Sequence, residues 1–228
     1  MYPKRSTLFR FFRKSTLIRE DLDSMPITTC LFDMGNVLVY FSHQTMCENV
    51  AAVCDTSVPA VQDLLLKSGL NARLECGEIS EAEFHQRIEA DLRKLVDFEA
   101  LKHAVGNIFR LNETIVPLLD EIRSLGIRLV LLSNTSLTHL RFIQENFDVL
   151  NRFDAFTTSY EAGALKPAAA IYEDALRKAN CAAQDCFYTD DIEDYVIGAR
   201  RFGINAEVYT ETSLTRTALQ QLGVAVSS

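Results

Sequence analysis

The chain has 228 residues, 48% of them hydrophobic and 24% charged, with a mean hydropathy of +0.03 and a net charge of −8. A chain of this length holds a core without disulfides or metal, and one domain, or one domain with a large insertion, is expected. Its acidity argues against nucleic-acid binding by the whole chain, and its longest apolar runs, Val37 to Phe41 and Leu129 to Leu132, fall far short of the ~20 residues that cross a bilayer.

Residues 1–24 stand apart, with net charge +3 against −11 for the rest. Arg10 and Arg13 interrupt Phe9, Phe11 and Phe12, so the segment lacks the apolar stretch of a secretory signal. It reads as a flexible basic extension or leader upstream of a start at Met25, with a membrane- or partner-touching amphipathic helix as the alternative. The six cysteines form neither a C-x-x-C pair nor a zinc-type spacing, which predicts buried, reduced thiols in a cytoplasmic protein.

From Met25 the pattern becomes regular. Ile27 to Phe32 reads as a buried strand that stops in a turn at Asp33, Gly35 and Asn36. Residues 43 to 110 read as almost wholly helical, with no strand-like alternation: Val58-Pro59 opens one helix, and the Ser80–Glu83 capping box opens another, with Phe84 and Ile88 on one face. Phe84, Phe98 and Phe109 are expected to pack among these helices. A helix over Ile115–Leu125, a strand over Ile127–Leu132, a helix over Leu137–Asn146 and a strand near Ala155–Thr158 follow. Pro167 then starts a helix to Ala179, Cys186 to Tyr188 is a strand ending at Asp190-Asp191, a helix runs to Phe202-Gly203, and Ala206–Tyr209 is a last strand. This alternation predicts an α/β fold: a Rossmann-like parallel sheet with helices on both faces. The expected division is a core of residues 25–42 and 112–228, with a helical cap over 43–111.

In open α/β sheets ligands bind outside the carboxyl ends of the strands. Asp33, Ser133, Lys166 and the pair Asp190-Asp191 all fall near such ends. If they converge, clustered carboxylates call for a cation between them, and hard oxygen ligands select Mg²⁺. Lys166 with Mg²⁺ would match the charge of a transferring phosphoryl group, and a carboxylate can be the nucleophile. Each residue alone has a structural alternative, as a turn former, helix cap or solvated charge.

Four segments in order, Phe32-Asp33-Met34-Gly35-Asn36-Val37, Leu131-Leu132-Ser133-Asn134, Gly163-Ala164-Leu165-Lys166-Pro167 and Tyr188-Thr189-Asp190-Asp191, resemble the four motifs of the haloacid dehalogenase superfamily. The resemblance spans about residues 27 to 210 and implies a phosphatase with an inserted C1-type cap. It makes Asp33 the nucleophile that forms an aspartyl-phosphate. Asp33, the Gly35 carbonyl, Asp191 and Asp190 would hold Mg²⁺, with Ser133, Asn134, Asn36 and Lys166 around the phosphoryl group. The substrate implied is a small phosphorylated metabolite. A homodimer is compatible with such a cap, but no interface is legible.

The first motif departs from the common pattern. Most phosphatases of the superfamily carry a general acid two residues after the nucleophile, where this chain has Gly35. The Asp-x-Gly-Asn-Val segment and Glu75 to Ser80 resemble the α-D-glucose-1-phosphatase-like branch, which implies a sugar phosphate. Tyr195 stands where an Asn or Asp is usual, and Tyr40-Phe41 where that branch often has an aspartate. These departures keep open an alternative, a catalytically weakened binding or regulatory protein. Arg73, Glu75, Glu78 and His43 are candidates to reach the pocket from the cap, with Gly77 a turn between them. His85, His103 and His139 are expected to be structural.

Overall fold

The computed structural model describes residues 27–227; the basic extension expected over 1–24 lies outside them. Five strands form one parallel sheet: β1 (Thr29–Phe32), β4 (Arg128–Ser133), β5 (Ala155–Thr158), β6 (Cys186–Asp190) and β7 (Asn205–Val208), in the spatial order β5-β4-β1-β6-β7. The central strand β1 is buried along its whole length, as its near-continuous apolar run requires of a strand covered on both faces. Cys30 and Phe32 enter one hydrophobic layer, with Leu118 and Ile122 of α6 (Ile115–Ser124), Ile143 of α7 (Leu137–Asn146) and Leu219 of α11 (Thr212–Gln221). Leu31 enters the other, with Ile171 and Ala175 of α9 (Ala169–Ala179) and Ala199 of α10 (Glu193–Arg200). The alternation follows from the two-residue period of a strand. A short helix, α8 (Ser159–Ala162), lies between β5 and α9.

Between β1 and β4 lies a helical insertion: α1 (His43–Val53), α2 (Val58–Gln62) continuing into a π-helical turn at Asp63–Lys67, α3 (Leu70–Glu75), α4 (Glu81–Leu92) and α5 (Phe98–Gly106). It has its own core of Met46, Val50, Leu65, Leu74, Ile88 and Leu101. Ser42, Ser57 and Ser80 cap α1, α2 and α4, and the Ser80–Glu83 capping box forms as its spacing predicts.

The expectation that 43 to 110 holds no strand is corrected at its end. Phe109–Leu111 is a strand, β3, paired antiparallel with β2 (Val39–Phe41) in the register Val39↔Leu111 and Phe41↔Phe109. Helix α11 is also additional to the sequence reading, and the helix expected from Pro167 begins at Ala169. All six cysteines are free thiols, with Cys76 and Cys181 only partly buried. Among the described residues no helix is long and apolar enough to cross a membrane.

The chain leaves β1 toward β4 and β5, then crosses to β6 and β7 on the other side. The connections after β1 and β6 therefore diverge, and this opens a crevice at their carboxyl ends.

Candidate active site

Asp33 follows β1 directly, and its backbone N–H donates to the Thr189 carbonyl at 3.1 Å, which sets it beside the end of β6. The chain then turns sharply. Asn36 takes a left-handed φ of 55°, a conformation asparagine tolerates better than most residues. From that turn its Nδ2 donates to Asp191 Oδ2 at 2.9 Å. Ser133 ends β4 fully within the protein, and Asn134 after it clasps the Lys166 backbone: Lys166 N–H donates to Asn134 Oδ1 at 2.7 Å, and Asn134 Nδ2 donates to the Lys166 carbonyl at 3.3 Å. The residues expected from the sequence thus gather at one place, although Asn36 spends its amide on Asp191.

Lys166 is only 2% exposed, yet its ammonium is fully engaged. It lies 2.9 Å from Asp33 Oδ1 and 2.6 Å from Asp190 Oδ2, and it donates to the Leu132 carbonyl and the Tyr188 hydroxyl, each at 3.1 Å. Burial, the largest influence, favours the neutral amine, but the two carboxylates together outweigh it and hold the lysine pKa above its ordinary value. Burial pushes the Asp33 carboxyl up; Lys166 opposes that shift and Asp190 adds to it. The ring of Tyr195 lies under the ammonium at 5.0 Å, and its hydroxyl accepts from Asn134 Nδ2 at 3.3 Å. Tyr195 therefore takes a place in the second layer around the lysine, with its carbonyl fixed by the Tyr172 hydroxyl at 2.7 Å.

Asp33, Asp190 and Asp191 each offer an oxygen within 4.8 Å of the others. With Lys166 as the one ammonium among them, the cluster keeps an excess of negative charge. Asp190 is heavily engaged, taking Lys166 and Tyr188 on Oδ2 and the Ile192 N–H on Oδ1 at 2.8 Å. The excess of negative charge and an all-oxygen donor set fit a hard divalent cation.

Above the cluster is a pocket of about 190 Å³. Asp33, Ser133, Lys166 and Asp191 form its base, and Phe41, His43, Glu75, Phe109 and His139 its wall. Of the insertion's candidate charges, Glu75 and His43 reach it, whereas Arg73 and Glu78 pair with each other at 3.5 Å in solvent. Burial lifts the Glu75 carboxyl to about 7, against a hydrogen bond from Asn71 Nδ2 at 2.9 Å.

Two side chains expected to be structural also line the pocket. His139 is buried in its wall, edge-on to Phe109 at 5.3 Å, and its Nε2 has no hydrogen-bond partner. Phe109 packs against the insertion's core, as expected, and lines the pocket too. The signal that could have found His139 was its place in the first turn of α7, just beyond Ser133-Asn134.

Residues 27–203 match the haloacid dehalogenase-like hydrolase family. A HAD family enzyme from Bacteroides thetaiotaomicron, solved in complex with magnesium and inorganic phosphate, superposes with a TM-score of 0.74 at 24% identity, covering 83% of this chain and 100% of that one. A predicted HAD-like family hydrolase from Porphyromonas gingivalis gives 0.73 at 23% identity over 87% and 98%. The L-2-haloacid dehalogenase of Xanthobacter autotrophicus gives 0.58 at 16% over 85% and 83%. At these identities the solved structures show the shared fold, and the match over 27–203 shows the lineage: the chain belongs to the haloacid dehalogenase-like hydrolases.

Proposed function

We propose that the protein is a Mg²⁺-dependent phosphatase that hydrolyses a phosphate monoester of a small metabolite through an aspartyl-phosphate on Asp33. The observation that carries this reading is the buried Asp33–Lys166–Asp190 array beside Asp191, in which one ammonium serves two carboxylates and negative charge is left over. The magnesium and phosphate held by the Bacteroides thetaiotaomicron relative agree with it. A metal-independent dehalogenase would have no use for Asp191 held in place by Asn36.

In this reading Asp33, the Gly35 carbonyl and Asp191 hold the ion, with Asp190 joining directly or through water. When bound, the ion supplies positive charge against the phosphoryl oxygens. Asp33 attacks the phosphorus. Lys166 keeps Asp33 oriented and faces the same oxygens, and the Ser133 hydroxyl and the backbone at Asn134 hold the phosphoryl group. The insertion 43–111 acts as a cap that excludes water and meets the leaving group. Lys166 is the pocket's one lysine or arginine, and the wall combines Phe41 and Phe109 with Glu75 and His43. That lining suits an uncharged, hydroxylated leaving group, such as a sugar, over one bearing a second anion. Six free thiols accord with a reducing compartment such as the cytoplasm.

The test is phosphate release from a panel of phosphorylated metabolites with Mg²⁺ or with EDTA, beside Asp33→Asn. Release that needs Mg²⁺ and disappears in the variant is expected, with sugar phosphates favoured over bisphosphates and phosphorylated acids. Metal-dependent ligand binding without any release would instead favour a binding protein, the reading to which Gly35 lends weight.

A further inference from the structure

Transfer of a phosphoryl group to Asp33 expels an oxygen that needs a proton, and hydrolysis of the aspartyl-phosphate needs one removed from water. Gly35, two residues beyond Asp33, has no side chain to do either, and the space a side chain would enter there is filled by the Phe41 ring, 2.8 Å from where a Cβ would lie. Lys166 is committed between Asp33 and Asp190, and Asp191 to Asn36. His139 is buried in its neutral form. Tyr195 lies with its ring against the Lys166 ammonium and its hydroxyl on Asn134, which leaves two titratable groups of the pocket wall, Glu75 and His43.

We infer that Glu75, the last residue of α3, is the general acid and base of the reaction, delivered to the site by the helical insertion. The inference rests on the phosphatase reading. One contact holds the carboxyl and two hold the backbone that carries it: Asn71 Nδ2 donates to Oε1 at 2.9 Å, the hydroxyl of Ser159, which opens α8, donates to the Glu75 backbone carbonyl at 2.5 Å, and Gly77 packs against the Tyr160 backbone so closely that a Cβ would lie 2.3 Å from the Tyr160 oxygen. Helix α8, directly after β5, therefore aims this part of the insertion, a rigid mount of the kind proton transfer needs. The directions of the pKa shifts agree. Burial lifts the Glu75 carboxyl to about 7, so a proton is available near neutral pH, whereas burial shifts the His43 imidazole the other way, toward its neutral form. The charged groups that share the pocket with Glu75 are Asp33, Asp191 and Lys166, and its other titratable groups are His43, His139 and Tyr195.

In the first step an Asp33 oxygen bonds to phosphorus as the bond from phosphorus to the ester oxygen breaks. The Glu75 proton passes to that oxygen and an alcohol leaves. In the second, water attacks the phosphorus, its proton returns to the Glu75 carboxylate, and the bond between phosphorus and Asp33 breaks to release phosphate.

The experiment compares the Mg²⁺-loaded full chain with Glu75→Gln on glycerol phosphate, a poor leaving group, and on para-nitrophenyl phosphate, a good one. Turnover of glycerol phosphate should fall by roughly 10²–10⁴-fold, the usual worth of acid–base catalysis. With para-nitrophenyl phosphate the first-turnover burst should survive while steady turnover slows, so that phosphorylated Asp33 accumulates. Added formate should restore part of the activity of Glu75→Ala, an outcome a merely structural role would not give. Equal losses on the burst and on glycerol phosphate, no loss on either, or a leaving-group-dependent loss found in His43→Gln instead would overturn the assignment. A wild-type protein without activity that Asp33→Asn removes would overturn the phosphatase reading itself, and this assignment with it.

Discussion

The ring of Phe41 stands over Gly35: a Cβ built on the glycine would lie 2.8 Å from Phe41 Cε1. The ring is itself held between His43, edge-on at 5.1 Å, and Phe109, at 6.3 Å. A side chain at position 35 must therefore displace a packed aromatic. Gly35→Asp is expected to lose about 1–3 kcal/mol, the usual cost of overpacking, and to gain no activity. Adding Phe41→Ala should recover part of that loss, because the ring is the obstacle. Urea denaturation of the two single variants and the double variant measures the coupling, and additive effects would show that the ring does not limit position 35.

Lys166 is the counter-ion for two buried carboxylates, and methionine in its place leaves both unpaired. Lys166→Met should lose about 3–5 kcal/mol at neutral pH, together with activity. With the lysine's opposing charge gone, burial drives the Asp33 carboxyl to hold a proton in the folded state at pH values where the unfolded chain has released it. The variant is thus expected to be less impaired at mildly acid than at alkaline pH. A pH-independent deficit would contradict the arrangement.

Gly77 has a φ of 72° and sits against the Tyr160 backbone. Gly77→Ala imposes a left-handed alanine and a clash with a carbonyl oxygen that cannot rotate away. The insertion must back off from α8, at a stability cost of about 1–3 kcal/mol. Since Glu75 lies two residues earlier in the pocket wall, kcat/KM should fall by roughly 10–100-fold. Thermal melts and steady-state kinetics check both effects.

His139 and Glu75 give stability opposite pH dependences. Burial, aided by His43, brings the His139 pKa down to about 4 from an ordinary 6.5. Its contribution is complete above about 6.5 and is lost as the pH falls toward 4, on the order of 3 kcal/mol in all. The Glu75 carboxyl, lifted to about 7, contributes stability below its ordinary range that is lost as the pH rises through 7. His139→Leu should flatten the acid-side decline, and Glu75→Gln the decline toward neutral pH. Urea midpoints across this range that run parallel to the wild type would refute both assignments.

The sheet was legible because its three central strands, β4, β1 and β6, are buried on both faces. Runs such as Cys30-Leu31-Phe32 and Leu129 to Leu132 admit no solvent-facing residue, and the polar residues that end them had to face the crevice. Hence Asp33, Ser133, Lys166, Asp190 and Asp191 could be gathered from their order alone. The β2–β3 hairpin was not legible. Each strand has three residues, and their pairing joins positions separated by the whole insertion. Helix α11 escaped for another reason: its buried face rests on Thr212, Thr215 and Leu219, too polar a stripe to announce a helix. Glu75 stood out only as one of three charges near Gly77, and packing against Ser159 and Tyr160 is what separates it from Arg73 and Glu78. His139 owes its place to Phe109 and His43, contacts that no local pattern encodes.

The central claim is a phosphoryl group carried by Asp33. Mixing the Mg²⁺-loaded protein with para-nitrophenyl phosphate, quenching in acid within the first turnovers and mapping the peptides by mass spectrometry tests it directly. The account predicts one phosphoryl group on the peptide containing Asp33, absent with EDTA and absent in Asp33→Asn. Metal-dependent phosphate release that persists in Asp33→Asn, or a phosphoryl group found on another residue, would contradict it.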